Sequence, residues 1–310
     1  MEQTSISMSD INFREIRNKL NKIERHINNE KWPCLHPNCK ASAINSHLLQ
    51  RNGILNNVAE NGHLCEMRTP NVYERENKQI DIKKVGISQA ISFPLFCRKH
   101  DSSLFKSIEG KHIDFDSYQS QLLFSYRSLC SEIRKKEFNI ELFSALPESK
   151  DKFDLLFHTK LGLEDLKHYK KLFEDEIDTS QDNFTFLHLS YPFIPVYASG
   201  TSTSFSLDGT FVDSTEGIGV NQIIDSFFIN IIPQKESLEI IVGYNNSHTN
   251  CKIENYVNSW KNLSKQQLFY KIIDLFNDSL ESWGMSPSFY NFGSSVKCVH
   301  ACREERIALE

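Results

Sequence analysis

Two close pairs of potential metal ligands stand in the first third of the chain, Cys34-Leu-His-Pro-Asn-Cys39 and Cys97-Arg-Lys-His100. Cys34 and Cys39 lie at the upper end of the spacing used by paired zinc ligands, and Cys97-x2-His100 sets two donors one turn apart at a predicted helix start. Two such pairs joined by a long loop can close a tetrahedral Zn2+ site, so Cys34, Cys39, Cys97 and His100 are the predicted ligands. Ser46-His47 follows the first pair and supplies an imidazole able to do chemistry beside a structural ion. Other donors compete. His36 lies inside the first pair and could replace a cysteine, His63 and Cys65 form another pair, and Cys298-x3-Cys302 encloses His300 with no second pair close in sequence. The alternative for the two pairs is ordinary burial of small cysteine side chains beside a surface histidine.

The elements that must hold these residues follow from hydrophobic periodicity. Ile11, Ile16, Leu20, Ile23 and Ile27 keep nearly helical spacing, which predicts a surface helix ahead of the first pair. Pro33, Pro37 and Asn38 bend the chain into the knuckle that ligands need. A short helix over 54–59, a turn at Asn61-Gly62 and a polar stretch from Thr69 to Lys84, a hairpin or loop, come next. Val85 to Phe96 then runs extended into the second pair, with helix over 101–109.

Beyond Gly110, Tyr118, Leu122, Tyr126, Leu129 and Ile133 predict an amphipathic helix. Residues 153–177 predict one long helix or two short ones divided near Gly162. Apolar runs at 184–189, 194–197, 223–232 and 238–242 predict strands of a mainly antiparallel sheet. Ser264-x-x-Gln267 has the form of a capping box ahead of Leu268, Ile272, Phe276 and Leu280. The fold class is α+β, divided as a helix at 1–29, a zinc-binding module at 30–112, and a larger α+β domain at 113–310 with flanking helices.

With 310 residues, 39% apolar, the chain can form substantial cores. It contains no apolar run of about 18 residues, so no membrane span is expected. A polar, acidic start at 1–10 predicts no secretion signal and a cytoplasmic protein, in which the eight cysteines stay thiols free to bind metal. The net charge of −5 is uneven: residues 1–112 hold 17 Lys and Arg against 12 Asp and Glu, and the rest hold 18 against 28. A basic front suits phosphate binding, with Arg51, Arg68, Arg75, Lys83 and Lys84 as candidate contacts, although solvation alone also accounts for such charges. GxxxxGK[ST], GxGxxG after a strand, HExxH and GxSxG are all missing, which argues against nucleotide hydrolysis, dinucleotide redox chemistry, zinc proteolysis and ordinary esterase action. Asp208-Gly209, Asp213 and Glu216-Gly217 read as a polar turn cluster. Tyr191, Phe193 and Tyr197 could line a pocket or fill a core.

The order Cys34, Cys39, Ser46-His47, then Phe96-Cys97-x2-His100-Asp101 resembles the treble-clef zinc module of HNH (ββα-metal) endonucleases over residues 30–112. The resemblance implies a structural Zn2+ on Cys34, Cys39, Cys97 and His100, His47 as general base, and Asp101 where the family has its final metal-binding histidine. It also implies a catalytic Mg2+ or Mn2+ and a nucleic-acid substrate, DNA ahead of RNA. Residues 113–310 would then sense a trigger or protein partner, a layout suited to microbial antiviral defence or a mobile element. The chain departs from the family where Ser46 replaces the usual aspartate and where no asparagine precedes Phe96-Cys97, Ser92 being nearest. Asp101 has an alternative use as a helix N-cap. A non-catalytic, zinc-stabilised nucleic-acid- or protein-binding protein is the competing reading.

Overall fold

Phe227-Phe-Ile-Asn-Ile-Ile and Leu238-Glu-Ile-Ile-Val are apolar at almost every position, a pattern that requires cover on both faces of a sheet. A computed structural model describes residues 8–68, 81–179, 181–207, 210–213, 222–247 and 251–295, and supplies that cover. The front runs α1 (Met8–Asn29), β1 (Ile44–His47), β2 (His63–Arg68), β3 (Asp81–Gly86), β4 (Ser92–Phe96) and α2 (Arg98–Leu104). There follow α3 (Tyr118–Ser144), α4 (Lys150–Thr179), β5 (Phe184–Pro192), β6 (Val196–Ser202), β7 (Ser204–Leu207) and β8 (Thr210–Asp213). The chain continues through β9 (Phe227–Pro233), β10 (Ser237–Asn245), α5 (Cys251–Asn258), α6 (Lys265–Asp278), β11 (Trp283–Met285) and α7 (Pro287–Ser295).

Seven strands form one antiparallel sheet in the order β3-β2-β11-β6-β9-β10-β5. Successive residues of β9 point to opposite faces. Phe228 and Ile232 join the α3 and α4 side, where Phe173 of α4 stacks on Phe184 and meets Phe228 edge-on. Ile229 and Ile231 join the other side with Ile253, Trp260, Leu268 and Ile272 of the α5 and α6 region. The sheet runs across residue 112, since β2 and β3 come from before it and the other five strands from after it. The front residues Leu48, Leu55, Phe96 and Phe105 share one continuous core with Leu122, Tyr126 and Ile133 of α3. Among the described residues no helix is long and apolar enough to cross a membrane.

Several elements differ from the sequence reading for identifiable reasons. Helix α3 is not amphipathic: every residue from Ser120 to Ser131 is buried, because the helix lies among the sheet, α4 and the front segment. Two of its buried serines, Ser128 and Ser131, are satisfied within the helix, donating their hydroxyls to carbonyls three residues back, whereas the Ser125 hydroxyl is buried without a partner among the described residues. Gly162 does not divide α4, which continues through it. The expected extended run from Val85 to Phe96 is broken by a 3-10 turn at Ile87–Gln89 and by Ile91 at φ 29°. A β-branched residue at positive φ is strained, and two partners hold it there. Its N–H donates to Glu66 Oε1 at 2.7 Å and its carbonyl accepts from Leu48 N at 3.0 Å. β7 and β8 form a hairpin that the sequence reading missed. β2 and β3 pair as the hairpin expected around 69–84, whose connection at 69–80 lies outside the described residues.

The edge strand β5 is fastened to the start of α3 by charge. His188 bonds Glu239 through Nε2 at 2.7 Å and Asp116 through Nδ1 at 2.8 Å. The hydrogen bond to Glu239, reinforced by Asp116, outweighs burial and raises the His188 pKa. Burial works to raise the Glu239 carboxyl, but hydrogen bonds from His188, Ser237 and Ser190 carry it below its ordinary value.

Candidate metal centre and adjoining cleft

The first ligand pair sits in a knuckle closed by backbone bonds. Cys34 N–H donates to Ala41 O at 2.9 Å, Cys39 N–H to His36 O at 3.2 Å, and Asn38 takes the left-handed conformation at φ 59° that the reversal requires. Leu35 N–H donates to Leu95 O, tying the knuckle to β4. The second pair begins where β4 ends: Cys97 is the N-cap of α2, and His100 lies within its first turn. From below, the buried Arg134 of α3 donates to Pro33 O at 2.6 Å and lies over the Trp32 ring.

These elements bring Cys34, Cys39, Cys97 and His100 together, with their donor atoms all within 4.8 Å of one another. Zinc bonds of about 2.3 Å to sulfur and about 2.0–2.1 Å to nitrogen in a tetrahedron imply S···S edges of about 3.8 Å and S···N edges of about 3.6 Å. Cys39 and Cys97 Sγ lie 3.9 Å apart, and His100 Nδ1 lies 3.5 Å from Cys34 Sγ and 3.4 Å from Cys97 Sγ. The Cys97 N–H donates to Cys34 Sγ at 3.2 Å. Burial pushes the Cys34 thiol up to about 11 despite that bond, so a cation is what would hold it as thiolate. The Cys3His set therefore fits zinc in donor type, count and spacing.

His36 does not take the place of a cysteine in this set. Its ring stacks on His100 with centroids 3.8 Å apart, and its Nδ1–H donates to Pro37 O. Among the described residues the Cys3His set is the one group of three or more such side chains placed to hold a metal ion. Cys65 sits apart in β2, while Cys298, His300 and Cys302 lie outside the described residues.

A polar cleft of about 380 Å3 adjoins the centre, lined by Asn45, Ser46, His47, Gln50, Arg51, Asn52, Asp101 and Glu109. β1 and β4 form an antiparallel ladder with His47 opposite Ser92, and α2 follows β4 after a single residue. The sequence-predicted His47 and Asp101 thus line the same cavity. His47 Nε2–H donates to Ile87 O at 3.3 Å, which leaves the Nδ1 lone pair as an acceptor. Burial, helped by the charges of Arg51 and Arg127, lowers the His47 pKa against the opposing pull of that carbonyl, so the imidazole is neutral at pH 7.

Asp101 is not the N-cap of α2; it lies a full turn inside, and its Oδ1 faces Arg127 Nη2 at 3.5 Å. Sequence reasoning missed Glu109 and Arg127. Glu109 follows a 3-10 turn at Lys106–Ile108, accepts from Arg127 at 2.6 Å, and receives the Gln50 amide on its carbonyl. No local motif marks either residue. Of the candidate basic contacts, Arg51 lines the cleft, Arg68 pairs with Glu66, Lys83 with Asp81, and Arg75 lies outside the described residues. Tyr197 is buried core donating to Glu66, whereas Phe193 lines a separate apolar groove with Phe269 and Phe289. Asp213 belongs to β8; Asp208, Gly209, Glu216 and Gly217 lie outside the described residues. Comparisons with protein-family profiles, curated proteins and solved structures found no match to the chain.

Proposed function

We propose that this chain is a metal-dependent endonuclease of HNH type that hydrolyses nucleic-acid phosphodiesters, DNA ahead of RNA. One observation carries the reading. The β1–β4–α2 arrangement is built against a Cys3His centre and turns His47 and Asp101 into the same polar cleft. Neutral His47, its tautomer held by Ile87 O, would take a proton through Nδ1 from the water attacking phosphorus. Asp101, with Glu109 beside it, would hold a Mg2+ or Mn2+ ion whose remaining sites go to substrate phosphate and water. When bound, such an ion stabilises the charge that develops on the phosphate and the departing oxygen. Arg51 at the cleft would meet the phosphate backbone. Zinc on the Cys3His set would keep the knuckle and α2 in place and take no part in the chemistry.

A second reading, a non-catalytic zinc-stabilised binding protein, draws on a different observation. His47, Asp101 and Glu109 line one cleft, yet they do not converge as a metal-binding group in the way the Cys3His set does. The deciding experiment is cleavage of DNA and RNA by purified zinc-loaded protein in Mg2+ or Mn2+. Cleavage that disappears in His47→Ala, with zinc content unchanged, supports the nuclease. Wild-type protein that cuts neither polymer sinks it.

A further inference from the structure

Arg127 is an expensive side chain to keep where it is. It is 1% exposed, and its Nε finds no hydrogen-bond partner among the described residues. Removing one partner of a buried ion pair is destabilising when the other is left dry, but both carboxylates that Arg127 meets keep some access to water. The guanidinium lies 3.9 Å over the Phe105 ring, and one of its nitrogens reaches both cleft carboxylates, Glu109 Oε1 at 2.6 Å and Asp101 Oδ1 at 3.5 Å. It enters from α3, a helix outside the knuckle and the β1–β4 ladder, and no cleft-lining residue belongs to that helix.

We propose that Arg127 is a positioning residue: from beneath the cleft it fixes the carboxylates of Asp101 and Glu109 in the orientation in which they line the cavity with His47. This rests on the nuclease reading for its effect on turnover. Arg127 is too deeply buried to meet substrate, and it acts only through the two carboxylates. Arginine suits the task because a planar guanidinium stacks on an aromatic face while its edge donates to two acceptors, which a lysine ammonium cannot do from the same place. Neither carboxylate is sealed from water, Asp101 being 16% and Glu109 35% exposed, so without Arg127 each is free to turn toward solvent.

The test uses the full, zinc-loaded chain with Arg127→Met and Arg127→Lys. Methionine fills the space over Phe105, and the freed carboxylates can be hydrated, so the variant is expected to fold with wild-type zinc content. On a DNA substrate with Mn2+, kcat of R127M should fall about 100-fold with KM within about twofold. R127K should fall about tenfold. The His47 imidazole, followed by NMR without divalent cations, should titrate at higher pH in R127M. That variant removes a positive charge and leaves Asp101 and Glu109 unopposed, with Arg51 the remaining nearby cation. R127K, which keeps the charge, should leave it in place. A zinc-replete R127M with wild-type kcat overturns the proposal, whether or not the His47 titration moves, and leaves Arg127 a structural tether. Should R127M not fold, wild-type kcat in R127K overturns it equally. Should wild-type protein cleave nothing, the nuclease reading fails, and a crystal structure of R127M decides the positioning role: Asp101 and Glu109 carboxylates turned toward solvent support it, and carboxylates in the wild-type orientation overturn it.

Discussion

Removing the metal, or one of its ligands, is the perturbation whose size can be worked furthest. The two ligand pairs are 58 positions apart at their nearest, Cys39 to Cys97, and Cys34 is hydrogen-bonded across 63 positions to Cys97, so the unfolded chain holds no preformed site. A ligand that binds only the folded state stabilises it by about 4 kcal/mol when present at about 1,000 times its dissociation constant. In a chain of this size each kcal/mol moves the melting temperature by about 2 °C. Stripping zinc with a strong chelator should therefore lower the melting temperature by about 8 °C. Collapse should not be complete, because the knuckle keeps other anchors: Arg134 on Pro33 O, the Trp32 ring beneath that guanidinium, and Leu35 on Leu95 O. Elemental analysis should give one zinc per chain, and Cys97→Ser should give none, with a melting curve matching the chelated wild type. Wild-type protein purified without chelator and lacking zinc, or a Cys97→Ser variant that keeps a full equivalent, would refute the Cys3His assignment.

Three other outcomes are expected. Gly284→Ala should destabilise the fold by about 1–3 kcal/mol in denaturant melts, since a Cβ there would collide with the Tyr197 hydroxyl and lie 2.7 Å from Cys65 O. The His188 pKa is raised, so its contribution is complete below about pH 6.5 and is lost as pH climbs through the folded-state value; Glu239 is lowered, so its contribution is complete above about pH 4.5 and is lost on acidification. Melting temperature against pH should accordingly carry a component that is greatest between these limits and whose alkaline limb is absent in His188→Gln, while Ser237 and Ser190 keep part of the acid limb. Ser264→Ala removes one half of the capping box of α6 and should cost about 1 kcal/mol by the same melts, with zinc content unaffected.

Those features that depend on local spacing were readable in the sequence. The two ligand pairs, the knuckle at Pro37-Asn38, the capping box at Ser264 and the apolar strands each declare themselves within a few residues. What escaped depends on partners far away in the chain. The periodicity of Tyr118 to Ile133 marks one apolar stripe, but Ser120, Ser125, Ser128 and Ser131 are buried too; Ser128 and Ser131 can enter the core because their hydroxyls bond their own helix. Arg127 and Glu109, ordinary surface types by composition, are defined by each other and by Asp101. The return strand β4 was hidden in a longer extended prediction, since the reversal at Ile91 depends on Glu66 and Leu48 rather than on glycine or proline.

β11 contains only three residues, yet it is the strand that joins the β2–β3 hairpin to β6 and the rest of the sheet. In a chain made from its N-terminus, every other strand of that sheet is synthesised before Trp283. The sheet therefore stays in two pieces, each with an open edge at β2 or β6, until synthesis has passed Met285. Since Glu66 of β2 holds the Ile91 turn that leads into β4, the cleft acquires its final support late in the life of the nascent polypeptide. A ribosome stalled before that point would carry the zinc ligands, His47 and Asp101 without the closed sheet behind them. Truncations that end ahead of Trp283 should accordingly expose the β2 and β6 edges to pairing with other chains.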